Sequence, residues 1–277
     1  MRKIQRELKY SGRAGCQERA LPQRLHFSSA MDMGIPALSF LKGLLRGLLL
    51  LDMQCMLWIT LVLACHMVCM ATLQALMEWW TMSLNSMKEV CELPHFLLGQ
   101  SMGGAVALKV HLKQQKEWDG VLLVAPMCKI SEEVTPPAPV LKALNILSCL
   151  LPEAKLFPQK DIGDLAFRDP RKRKVAEYNA ISYSDQMRLR TAVELLKATK
   201  DIESQLEKIS SPLLILHGAA DMVTDPHVSK FLYEKASTKD KTLKLYEGSY
   251  HSILEGEPDD RISTAINDII SWLDSHC

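Results

Sequence analysis

The sequence predicts an α/β fold built on a mostly parallel sheet covered by helices, and three observations carry the prediction. From Glu92 onward, short β-rich runs alternate with amphipathic helical stretches, the pattern of parallel strands joined by helical crossovers. The 277 residues are 48% hydrophobic and 23% charged, which is enough apolar material for one large core carrying an insertion. The run GQSMGG at 99–104 is preceded by an apolar strand-like segment and followed by helix-forming AVALKVHLK, so a tight strand-to-helix turn sits in the middle of the alternation.

In order along the chain, four strands are expected: HFLLGQ (95–100), GVLLVAP (120–126), PLLILHG (212–218) and KTLKLYEG (241–248). Helices should follow at 103–115, 225–236 and 260–275, the last with Ile262, Ile266, Ile269, Ile270 and Leu273 at core-facing spacing. Between the second and third strands lies a long insert, 129–208. It is broken at its start by TPPAP and then reads as two amphipathic helices, 140–151 and the stretch RTAVELLKATKDIESQLEKI. An insert of this kind on an α/β sheet usually forms a lid over the ligand site. The core is thus assigned to 88–128 and 209–277, and the helical cap to 129–208. Within the cap, the run RDPRKRK (168–174) reads as a solvated loop rather than as a site for acidic headgroups.

A net charge of +1 removes the long-range field that would steer nucleic acid, so a small neutral molecule is the expected partner. Eight cysteines without a C-x-x-C pair, and a polar, basic start, read as a reducing, cytoplasmic chain without a secretory signal. Peripheral contact with membranes stays open. Neither a glycine-rich phosphate loop nor a metal-ligand cluster is visible, and no cofactor is expected. One stretch, 55–73 (CMLWITLVLACHMVCMATL), is apolar over about the length that spans a bilayer.

The turn at 99–104 matches G-x-S-x-G in the strand–turn–helix context that the nucleophile elbow of an α/β-hydrolase requires. Gly99 and Gly103 let the chain pass close to itself, Ser101 Oγ projects above the sheet, and the Met102 N–H points at a developing oxyanion. A serine hydroxyl is a weak nucleophile and needs a base, which in this fold follows in the order acid, then histidine. Asp221 comes just past the third strand in HGAADMVTDP, and His251 just past the fourth in LYEGSYHSILEGEP, both at the sheet edge where ligands bind. Asp225 precedes Pro226 at a helix start and is better used as an N-cap. His217 reads as a structural histidine at a strand end, His95 as a strand-entry residue and His111 as a helix-surface residue. His66 and His227 lack strand-end context.

With GQSMGGAVALK, LLVAPMCKI, LLILHGAADMVTDP and LYEGSYHSILEGEPDD in view, the chain resembles the plant monoacylglycerol-lipase-like hydrolases, the group that includes caffeoylshikimate esterase. The resemblance runs from about Lys88 to the C-terminus. It implies an acyl ester substrate, a helical cap and no cofactor. It also implies a strand ending in His-Gly-Tyr-Gly-Asp that supplies a second oxyanion N–H, and a later strand like Tyr-Ala-Val-Tyr-Ala-Leu-Asp-Tyr.

The sequence has AMDMGI (30–35) and LDMQCMLWI (51–59) instead. Codons formed across residue boundaries restore the pattern, because Met and Trp codons both end in G. Met31-Asp32 and Met33-Gly34 then force Gly, Asp32-Met33 gives Tyr or His, and 30–35 permits HGYGD. Similar shifted readings run to 81, so residues 30–86 are read as family sequence out of frame, with the frame restored near Met87. On this reading the apolar 55–73 run is a by-product, the region 1–87 is aberrant, and the nucleophile strand is left as an unpaired, aggregation-prone edge.

The expected function is carboxylic ester hydrolysis through an acyl-enzyme on Ser101, on a monoacylglycerol, a lysophospholipid or a hydroxycinnamoyl ester. The alternatives are a catalytically impaired binding protein and an acyltransferase on the same fold.

Overall fold

The computed structural model describes residues 56–58, 94–130, 135–156, 162–177 and 186–277. The candidate oxyanion loop at 30–35 lies outside them, as do most of the aberrant region and of the apolar 55–73 run.

The described residues form a five-stranded parallel sheet in the order β1-β2-β3-β4-β5: β1 Met56–Trp58, β2 His95–Gln100, β3 Gly120–Val124, β4 Leu213–Gly218 and β5 Lys241–Tyr246. Among the described residues seven α-helices accompany it: α1 Met102–Lys113, α2 Ala138–Leu150, the single turn α3 Gly163–Ala166, α4 Pro170–Glu177, α5 Leu189–Glu203, α6 Pro226–Lys235 and α7 Asp259–Asp274. The four expected strands and the helices that follow them fall where the alternation puts them.

The strands are apolar on both faces because both faces are covered. Leu97, Val121, Leu123, Leu213 and Ile215 share one core with Val106 of α1, Ile202 of α5 and Leu232 of α6. Phe96, Leu98, Leu122, Leu214 and Leu216 share the other with Ile269, Trp272 and Leu273 of α7. Each such leucine removed from water contributes about 1.5–3 kcal/mol. Gly120 is required by this packing, since a Cβ there would lie 2.6 Å from the Trp272 ring and 2.8 Å from Phe96. Strand β5 closes the described sheet with half-buried residues, and Lys244 on it pairs with Asp268 at 2.7 Å; a charged edge discourages further pairing.

Two expectations are corrected here. The nucleophile strand is not a bare edge, because β1 pairs with its first half, Met56 with His95, Leu57 with Phe96 and Trp58 with Leu97. A strand of three residues supplies backbone partners to that half whatever the origin of the segment. The RDPRKRK run is largely helical rather than a loop: Asp169 accepts the Arg171 N–H at 2.9 Å and Pro170 opens α4, a local cap needing no apolar face. Arg168, Arg171 and Lys174 are exposed as expected, but Asp169 is buried and Lys172 and Arg173 are half-buried in ion pairs with Asp259 and Asp164.

The insert is not uniform. Helix α5 is built into the core through Ala198 and Ile202, while α2 packs against α5 and leaves Val140, Ile146 and Leu150 exposed on its outer side. Among the described residues no helix is long and apolar enough to cross a membrane.

Candidate active site

The elbow forms because small residues permit it. Ser101 has φ 53 and ψ −121, a backbone region costly for any residue with a side chain and held only where the surroundings over-determine it. Those surroundings are hydrogen bonds from Ser101 N to Val124 O, and from Gly104 N and Met127 N to Ser101 O, each 2.9 Å. A Cβ on Gly99 would lie 2.4 Å from the Gly103 carbonyl, and one on Gly104 would lie 2.7 Å from Pro126. Met102 is the first residue of α1, so its N–H belongs to the helix-start donors that have no intrahelical partner.

Ser101 Oγ lies 2.9 Å from His251 Nε2, and His251 Nδ1 lies 2.7 Å from Asp221 Oδ2. The sequence-expected serine, histidine and acid are therefore brought together across the C-terminal ends of β2, β4 and β5. Asp221 and His251 are each only 6% exposed. Asp221 Oδ1 accepts the N–H groups of Val223 at 2.7 Å and Thr224 at 3.0 Å. Oδ2 also accepts the Thr224 hydroxyl at 2.9 Å and faces His217 Nε2 at 3.1 Å. Burial works against ionisation of Asp221, but hydrogen bonds from His217 and His251, the His251 charge and the Val223 N–H outweigh it and hold the carboxyl well below the usual range.

Asp225 caps α6, accepting the His227 N–H at 2.8 Å, and does not join this network. His217 is buried between Ser229 Oγ at 2.6 Å and Thr224 O at 3.0 Å, as a structural histidine should be. His95 enters β2 with its N–H on Asp119 at 2.6 Å. His111 is not a surface residue: it is 0% exposed, because α1 is covered on more than one side. Both of its ring nitrogens lack partners, and burial lowers its pKa from 6.5 to about 4.

Three residues escaped the sequence reading. Thr224 bridges Asp221, His251 Nδ1 at 3.1 Å and Ala125 O at 3.2 Å; its spacing from Asp221 in the acid loop was the available signal. Ala125, with φ 45, turns the chain after β3, and the following proline hinted at that. Glu255 has its carboxyl raised by burial against the lowering effects of the His251 charge and a Gln100 hydrogen bond. Nothing in its position in the sequence marks it out from neighbouring Glu257.

Residues 77–259 match the family described as serine aminopeptidase, S33. The chain belongs to this family. Its match begins upstream of Met87, where the reading frame was expected to be restored. Among curated relatives, caffeoylshikimate esterase of Arabidopsis thaliana is 39% identical over 184 residues, covering 66% of this chain and 55% of that protein. Monoglyceride lipase of Homo sapiens is 32% identical over 188 residues, covering 67% of this chain and 60% of that protein. The chain thus spans somewhat more than half the length of these relatives. The crystal structure of the Paleococcus ferrophilus monoacylglycerol lipase superposes with a TM-score of 0.63 at 24% identity, covering 74% of this chain and 76% of that one. The soluble variant of the Saccharomyces cerevisiae monoglyceride lipase gives 0.59 at 24% identity, covering 73% and 68%. The family's fold is the α/β-hydrolase fold.

Proposed function

We propose that the chain is a carboxylic ester hydrolase in which Ser101 is the nucleophile, His251 the general base and Asp221 the acid that orients it. The observation that carries the reading is the hydrogen-bonded run from Ser101 Oγ through His251 to Asp221, starting from a strained elbow. Ser101 Oγ attacks the ester carbonyl as its proton passes to His251 Nε2, and the oxyanion gathers at the Met102 N–H. The C–O bond to the alcohol breaks with that proton delivered to the leaving oxygen, giving an acyl-enzyme. Water, deprotonated by His251, then releases the acid. Asp221, held ionised, stabilises the imidazolium in both halves.

The substrate is an acyl ester of a small alcohol, of the monoacylglycerol or hydroxycinnamoyl type. Support comes from relatives named for monoglycerides and caffeoyl shikimate and from the exposed apolar residues of α2, which suit a hydrocarbon or aromatic acyl group. The same surface suits peripheral contact with a lipid interface. The second oxyanion donor belongs to 30–35 in the shifted frame.

Ser101→Ala should abolish p-nitrophenyl ester hydrolysis and labelling by a fluorophosphonate probe while leaving the thermal midpoint nearly unchanged. Labelling of the alanine variant at the wild-type level would refute the assignment.

A further inference from the structure

The catalytic base sits on a loop, 248–256, whose own backbone bonds run only within its second half, from Ile253 N to His251 O and from Glu255 N and Gly256 N to Ser252 O, so what else holds it matters. On the core side, Tyr250 N–H donates to Glu257 Oε1 at 2.6 Å, Arg261 donates to Ser249 Oγ at 3.0 Å, and Ala220 N–H donates to Ser249 O at 3.0 Å. On the other side the partner is the insert. Ser252 N–H, next to His251, donates to Ala166 O at 2.9 Å. Gly256 O receives two N–H groups, from Arg168 at 3.0 Å and Asp169 at 2.9 Å. The Arg168 guanidinium donates to Gly248 O and lies over the Tyr250 ring at 5.9 Å.

One glycine of the loop matches this contact: Gly248, at φ 63, would bring a Cβ within 3.2 Å of the Arg168 guanidinium, whereas a Cβ on Gly256 would first meet Ser252 of the loop itself at 2.7 Å and then the Phe167 ring at 3.0 Å. Lys172 extends the attachment through an ion pair with Asp259. A segment that only roofs a substrate has no need of four hydrogen bonds to the loop of the base.

We propose that residues 166–169 of the insert form a clamp that positions His251, with Arg168 as its fastening residue, so that the insert sets the turnover rate as well as the substrate preference. The inference rests on the assignment of His251 as the base. Backbone hydrogen bonds with the insert hold the chain after the histidine at Ser252 and Gly256, and the Arg168 side chain holds it before the histidine at Gly248. Loosening that side leaves the loop attached to the core, so the fold survives while the imidazole samples orientations away from Ser101 and Asp221. Misplacing a catalytic group by ~1 Å costs up to about 10²-fold.

The test compares wild type with Arg168→Ala and Arg168→Lys in the full chain, using p-nitrophenyl acetate, whose two-carbon acyl group leaves acyl-chain preference out of the comparison. Arg168→Ala should lower kcat about tenfold with KM nearly unchanged. Lysine should restore part of the loss. Hydrogen–deuterium exchange supplies a readout free of activity: amides in 249–256 should exchange faster in Arg168→Ala while those of β4 do not change. Unchanged kcat and exchange would overturn the clamp, as would a loss confined to KM for long-chain esters. If instead the wild type fails to hydrolyse esters, or Ser101→Ala keeps its labelling, the assignment of function fails while the exchange result still decides whether the clamp exists.

Discussion

Replacing His111 with leucine should make the protein more resistant to acid. The imidazole is fully buried at the end of α1, and both of its nitrogens are unpaired. A helix C-terminus favours a cationic side chain by about 0.3–1 kcal/mol, yet burial wins and lowers the pKa from the ordinary 6.5 to about 4. The folded state therefore binds fewer protons than the unfolded state between these values. The stability contributed by keeping the ring neutral is complete above pH 6.5 and is lost as the pH falls toward 4. At pH 5 the loss is ~2 kcal/mol, from linkage across the gap between the two pKa values. Leucine has nearly the same volume, carries no proton, and removes two unpaired polar atoms, so at pH 7 the variant should be no less stable. Urea unfolding at pH 7.5 and pH 5 measures both chains on one scale. The gap between variant and wild type should widen by about 2 kcal/mol on acidification, or by some 4–8 °C if read as a thermal midpoint. Parallel pH dependences for the two chains would refute the reasoning and place the acid-sensitive group elsewhere.

Asp221→Asn should reduce kcat for ester hydrolysis by ~10⁴, whereas Asp225→Asn, which keeps a side-chain acceptor at the α6 cap, should change stability by well under about 1 kcal/mol and leave kcat intact; steady-state kinetics of both variants tests the choice between the two acids. Leu144→Asp with Leu147→Asp should raise KM for long-chain esters more than for acetate esters, and equal effects would count against a role for α2 in acyl binding. Gly99→Ala drives a Cβ into the Gly103 carbonyl and should abolish fluorophosphonate labelling, with a thermal midpoint lowered by several degrees. A chain carrying 30–86 in the shifted frame gains a second oxyanion donor and should hydrolyse p-nitrophenyl esters ~10²–10³ faster than the chain as written; equal rates would remove the frame argument.

The parts legible in the sequence were those where one physical signal acts alone. Strands buried on both faces must be continuously apolar, and LLIL and VLLV announced themselves. Asp225 followed by proline was a cap before it was a candidate acid, and the structure uses it as one. His111 was misread for a physical reason: α1 carries small and apolar residues around most of its circumference, so it has no polar face by which to orient a helical wheel, and neighbours such as α5 cover what looked like its outside. Helix α4 was missed because its stability comes from a cap and ion pairs rather than from a stripe, and hydrophobic periodicity does not register those. β1 is three residues in a stretch that reads as a long apolar run, and only pairing with β2 distinguishes them. The attachment of 166–169 to the histidine loop joins segments about eighty residues apart in sequence through backbone groups, and backbone groups leave no trace in side-chain identity.

The surroundings of Asp221 settle where protons can rest. Oδ1 faces two backbone N–H groups, and Oδ2 faces the Thr224 hydroxyl, His217 and His251. A carboxylate offers about four lone-pair positions, and five donors crowd these. His217 Nε2 looks onto the Asp221 carboxylate and the Thr224 carbonyl, both acceptors, so it keeps its hydrogen and its Nδ1 takes the Ser229 hydroxyl. With these donors facing it the carboxyl is held well below the usual range, so it keeps its charge instead of taking the His251 proton along their shared hydrogen bond. In the mechanism we propose, the charge His251 gains when Ser101 reacts therefore stays on the imidazole until a leaving group collects it, and the acid answers only with its field.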